Sequence, residues 1–127
     1  MSEFEYAQLL TNSFNSMGLS HMNFIYIAFA YVVASFLVGK DISKTLAIGI
    51  SIIYTLAVSG PFLGVIINQN SMFTVLTEYQ AAFPDGVLLQ APINLTTSLI
   101  MSAGPLFIGW VASLLFLHAY VRKNKEE

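Results

Sequence analysis

Charge is scarce in this sequence and cysteine is absent: 9% of its 127 residues are Asp, Glu, Lys or Arg, and none is Cys. The missing thiols exclude a disulfide framework, a thiolate metal site and a cysteine nucleophile, and leave the redox compartment undetermined. Soluble domains carry roughly 25% charged residues. So low a content, beside 56% hydrophobic residues, leaves too little polar surface to solvate a globule and points to lipid. Basic clusters are missing too. Five Lys and Arg and a net charge of -2 make no block that could follow a phosphate backbone, so no nucleic-acid partner is expected.

No Lys or Arg precedes Lys40, and residues 1–20 hold Glu3 and Glu5 without a long apolar core, so a secretory signal peptide is not expected. Ser2 stands where myristoylation needs glycine, and no terminal cysteine box invites prenylation. The spans themselves are then the anchor. A hydrocarbon core of ~30 Å takes roughly 20 apolar residues in helix, and three stretches answer: residues 19–39, 45–67 and 94–121. Lys40 and Lys44 lie between the first two, and Arg122, Lys123 and Lys125 fall in the tail at 122–127. The basic residues thus share one side, and the positive-inside rule predicts a cytoplasmic carboxyl terminus and an outer amino terminus, as in a bacterial inner membrane.

Between these stretches the pattern is helical again. Phe4, Ala7, Leu10, Phe14 and Met17 recur at helical spacing behind a Ser2/Glu5 capping box, predicting an amphipathic helix over 1–18 on the outer membrane surface or packed on the spans. Met72, Val75, Leu76, Tyr79 and Phe83 share one helical face after a Ser71 cap, predicting a helix over 71–83. Glu78 and Asp85 keep that segment out of the hydrocarbon. Pro84-Asp85-Gly86 then turns the chain, and Pro92 or Asn94 opens the last helix. The expected fold is an all-α integral membrane protein: one membrane domain over 1–127, with three transmembrane helices, an N-terminal amphipathic surface helix and a short extracytoplasmic helix between the second and third spans.

Two spans carry similar segments, "SGPFLG" from Ser59 and "SAGPLFIG" from Ser102. A proline inside a helix deletes one backbone hydrogen bond, and in lipid the freed carbonyl needs a protein partner, with Ser59 and Ser102 nearby. Gly60, Pro61, Gly64, Gly104, Pro105 and Gly109 are therefore candidate hinge or packing positions. Gly60 with Gly64, and Gly109 with Ser113, have the small-xxx-small spacing that lets helices approach closely.

Catalytic chemistry has little material here. The spans hold no Asp, Glu, Lys or Arg, which argues against a proton relay, voltage sensor or ion-coupled pump. His21 and His118 fall at opposite ends of the bilayer, so a shared metal or bis-histidine haem is not expected, and no other cofactor is implied. No serine sits in a GxSxG elbow. Asn94-Leu95-Thr96 matches a glycosylation sequon on the outer side. The Trp110 indole N–H needs a partner. Neutral polarity remains, with Tyr54, Thr55, Ser59, Ser98 and Ser102 as a candidate polar lining. The expected function is that of a small non-enzymatic membrane protein, acting as a homo-oligomer or as an accessory subunit beside another membrane protein. The alternative is a small oligomeric channel or carrier for an uncharged solute, hinged at the paired Gly-Pro sites.

Overall fold

A computed structural model describes residues 1–89 and 94–123. The described chain is helical: α1 spans Glu3–Val38, α2 spans Lys44–Ala82, a short 3-10 turn covers Val87–Leu89, and α3 spans Leu95–Lys123. All three α-helices are long and apolar enough to cross a membrane. In each, 17% of the apolar window is buried within the chain, so most of the apolar surface is left for lipid or for neighbours.

Helix starts follow local chemistry. Ser2 Oγ accepts from the Glu5 N–H while Glu5 Oε2 accepts from the Ser2 N–H, which is the expected capping box. Ser43 Oγ takes the Leu46 N–H at the head of α2. Asn94 Oδ1 accepts from the Thr96 N–H and opens α3. The Pro84-Asp85-Gly86 turn is present, closed by the Gly86 N–H donating to Phe83 O. Pro92 and Lys125, on which sequence expectations fell, lie outside the described residues.

Two expected junctions are not breaks. α1 runs through Gly18, joining the segment expected on the membrane surface to the first span. α2 runs through Asn68-Gln69-Asn70-Ser71, joining the second span to the expected outer helix. At 1.5 Å per residue α1 and α2 are about 54 and 58 Å long, well beyond a hydrocarbon core of about 30 Å. The physical reason is that polar residues favour water without breaking a helix. Gly18 costs only about 1 kcal/mol, and neither junction holds a proline.

The two long helices pair antiparallel, Tyr6 meeting Tyr79, Ser20 facing Gly64 and Tyr31 stacking on Tyr54, with α3 against both. On α1 the rows Tyr6, Leu10, Ser13, Met17, Ser20, Phe24, Ile27 and Tyr31 alternate steps of four and three, and all are buried or half-buried. On α2 and its C-cap the same alternation links Val58, Phe62, Val65, Gln69, Met72, Leu76, Tyr79 and Phe83. This is the 3.5-residue seam of antiparallel helix pairs. Its core gathers Phe24, Tyr31, Ala47, Tyr54, Val58 and Val65 with Leu106, Leu117 and Val121 of α3. Beyond α3, the seam closes on an aromatic cluster: Tyr6 meets Tyr79 at 5.5 Å and Phe83 at 6.2 Å, and Tyr79 OH donates to Glu3 Oε1 at 2.9 Å.

Candidate functional site: three polar layers between the helices

The outer layer, the one farthest from the lysines, is built on Gln69, which occupies one slot of the apolar seam of α2 and is 3% exposed. Its Nε2 donates to Ser98 Oγ, and its Oε1 accepts from Ser102 Oγ at 3.1 Å, so one side chain ties α2 to α3 twice. On the other side His21 links α1 to α3, its Nδ1 lying 3.0 Å from Met17 O and its Nε2 3.2 Å from Ser102 O. Both partners are carbonyl oxygens, so the tautomer sets which of the two the ring donates to. A cavity of about 560 Å³ opens beside this layer, its polar wall formed by Asn94, Thr97, Ser98, Ser102 and Gln69.

The middle layer is a pair of stacked tyrosines. Tyr31 of α1 and Tyr54 of α2 lie face to face with centroids 3.8 Å apart and planes at 14°. Ser51 Oγ donates to Ala47 O, so it accepts from Tyr31 OH and from His118 Nε2, each at 3.1 Å. Ser113 Oγ likewise donates to a carbonyl of its own helix and accepts from Tyr54 OH at 2.9 Å. These bonds connect all three helices. Each buried hydroxyl here has a partner, as a low-dielectric interior requires.

The inner layer lies at the end where the lysines gather. Lys44, His118 and Arg122 line a cavity of about 220 Å³ with Ile48 and Val121. A second space of about 370 Å³ shares Ile48 and His118 with it and continues between α2 and α3 along Ile52, Thr55, Leu56 and Leu114.

The candidate lining residues therefore separate. Ser98 and Ser102 meet in the outer layer, Tyr54 is committed to Ser113, Thr55 lies in the α2–α3 groove, and Ser59 Oγ returns to Leu56 O of its own helix. The six Gly-Pro positions separate as well. Pro61 and Pro105 stand inside unbroken helices, at one level, since Phe62 meets Phe107 at 6.4 Å and Trp110 at 5.6 Å. Gly64 is a close-contact position, where an added Cβ would come within 2.7 Å of Ser20 Oγ. Among the described residues, Gly60 and Gly109 have nothing within 4 Å of that point, and Gly104 meets only Ile100 of its own helix at 4.0 Å. The expected help from Ser59 and Ser102 for carbonyls freed by proline is not how these hydroxyls are used. Ser102 Oγ goes to Gln69, and it is the Ser102 carbonyl, three residues before Pro105, that His21 meets.

His21 and His118 sit at opposite ends, as expected, yet each binds a neighbouring helix and is more than an interfacial side chain. Trp110 Nε1 is buried and has no partner among the described residues. Also among the described residues, no three of His, Asp and Glu are grouped to hold a metal ion. Gln69 falls in the polar gap between the expected span over 45–67 and the expected helix over 71–83. Its signal was the step of four and three that it completes between Val65 and Met72. Replacing it by leucine is expected to cost about 1–3 kcal/mol, the scale of two interhelical hydrogen bonds and the hydroxyls they leave unpaired. Unfolding in a denaturing-detergent titration checks this, with Asn68→Leu as the neighbour expected to do less, since among the described residues Asn68 bonds only back to Gly64 O.

Comparison with family models, with curated proteins and with solved structures finds no match to this chain. Its function has to be argued from its own geometry.

Proposed function

We propose that this protein is a non-enzymatic membrane subunit that works through its lipid-embedded surface, packing laterally against a second copy or against another membrane protein. The observation that carries this reading is the place of its unused small residues. Gly109 has open space at its Cβ position and, with Pro105, Ala112 and Ala28, floors an apolar groove of about 520 Å³ between α1 and α3, edged by Phe29 and Phe116. Membrane helices place small residues where another backbone comes close. Among the described residues that demand is met at Gly64 and not at Gly109. Bound pairs also occupy the interior hydroxyls, which argues for a packed bundle over a through-path. The amino end is read as outer and the basic end as cytoplasmic, from the distribution of Lys and Arg.

Gly109→Leu tests this without disturbing the subunit, because the added side chain enters open space. Wild-type protein is expected to migrate in mild detergent as an oligomer or with a co-purifying membrane protein, and the variant to lose that association by about tenfold or more, equivalent to about 1.4 kcal/mol. A wild-type monomer without partner, or a variant that associates unchanged, overturns the reading. The second reading, a carrier for an uncharged polar solute, draws on the outer cavity beside Gln69, Ser98 and Ser102. Liposomes separate the two: a packing subunit leaves them tight, whereas a carrier gives solute flux that Gln69→Leu reduces.

A further inference from the structure

We infer that the groove between α2 and α3 at the basic end is a binding site for one anionic phospholipid, its phosphate held at Lys44 and Arg122 beside His118 and one acyl chain lying along Ile48, Ile52 and Leu56. Two cavities carry this together. The mouth, of about 220 Å³, is lined by three basic side chains, and the space of about 370 Å³ that follows is almost wholly apolar. They share Ile48 and His118, so the basic mouth opens directly into the apolar run. A free phosphate would use only the mouth. An acyl chain without charge would use only the run. A phospholipid matches both, in the order in which a membrane presents them.

Helix geometry supports that match. Ile48, Ile52 and Leu56 follow one another at steps of four on one face of α2, a stripe of roughly 12 Å parallel to a lipid chain. Lys44, one further turn along, sits at the start of α2, and Arg122 sits in the last turn of α3, so their charges fall at the level where the helices leave the hydrocarbon. His118 lies at the boundary, its Nε2 held by Ser51, which in turn is held by Tyr31. The surrounding charge has the same sign. Among the described residues this end carries Lys40, Lys44, Arg122 and Lys123 against Asp41. Basic pockets between membrane helices at such a level select anionic head groups.

The test is native mass spectrometry of the full chain released from vesicles of equal phosphatidylglycerol and phosphatidylcholine with identical acyl chains. Wild-type protein is expected to retain one phosphatidylglycerol about tenfold over phosphatidylcholine, and Lys44→Gln with Arg122→Gln to bring the ratio near one. Lys40→Gln with Lys123→Gln removes the same charge outside the pocket and is expected to leave the preference in place. Ile52→Trp, which fills the run, is expected to lower retention of both lipids. Equal retention by the wild type overturns the inference, as does an equal loss in the two double variants, which would mark diffuse surface attraction. Displacement by excess inorganic phosphate would also overturn it, assigning the mouth to the free ion. None of these outcomes depends on Gly109 or on oligomer formation, so this site and the packing reading stand or fall separately.

Discussion

Replacing Tyr79 by alanine is expected to detach the outer ends of α1 and α2 from one another at a cost of about 3–5 kcal/mol, the range for truncating a buried aromatic side chain. Tyr79 has no exposed surface, and it joins three contacts at once: the edge of Tyr6, the ring of Phe83 and the Glu3 carboxylate. The turn after α2 closes over it so tightly that a Cβ at Gly86 would overlap the Tyr79 hydroxyl. Hydrogen exchange is the measurement to make. Faster exchange is expected in residues 3–13 and 73–82, with little change in the apolar runs, because among the described residues those segments are held by one another and by the turn after α2. Uniform acceleration through α3 would show that the outer pair is not an independent unit.

The same residue gives a pH dependence. Burial, and then the hydrogen bond to Glu3, push the Tyr79 hydroxyl above its ordinary value of 10.0. The folded chain therefore holds this proton at a pH where the unfolded chain has released it, so the contribution is intact below about pH 10 and declines as pH rises beyond that value. Above about pH 10 the outer pair should loosen in the wild type. Tyr79→Phe removes the titrating group and should flatten that decline, though it also loses the bond to Glu3.

The second large effect is expected at Tyr54. Alanine there removes the ring stacked on Tyr31, leaves a cavity against the core and takes the donor from Ser113. An aromatic truncation in a core costs about 3–5 kcal/mol, and somewhat less where lipid already solvates the apolar part of the unfolded reference, so about 2–4 kcal/mol is expected. Tyr54→Phe keeps the stack and loses only the hydroxyl, a change worth about 0.6 kcal/mol for one interhelical bond in a bilayer. Denaturing-detergent titration of the two variants separates packing from hydrogen bonding. Equal destabilisation would mean that the Tyr54–Ser113 bond between α2 and α3, and not the stack of α1 on α2, carries the effect.

Much of this arrangement was legible residue by residue. The Ser2/Glu5 box, the turn at Pro84-Asp85-Gly86 and Asn94 at the head of α3 are local devices whose partners lie within four residues, so the sequence displays both halves of each. Continuity across Gly18 and across Asn68–Ser71 was harder, because composition there signals water while backbone preference still permits helix. Polarity was mistaken for an end. Gln69 shows the same conflict at one residue: its neighbours Asn68 and Asn70 are polar, while its position between Val65 and Met72 belongs to the seam.

Sequence alone determined that three apolar helices would form and that all the described basic residues would gather at one end. Those outcomes rest on summed transfer energies and on charges that a bilayer excludes, and both add up along the chain without reference to partners. Only tertiary structure decided which small and polar residues serve the interior. Gly64 faces Ser20 while Gly60 and Gly109 face outward, and Gln69, Ser51 and Ser113 are paired across helices while Ser59 bonds its own. A hydroxyl or a glycine costs nearly the same on any face of an isolated helix, so its role is set by which neighbour the packing brings to it.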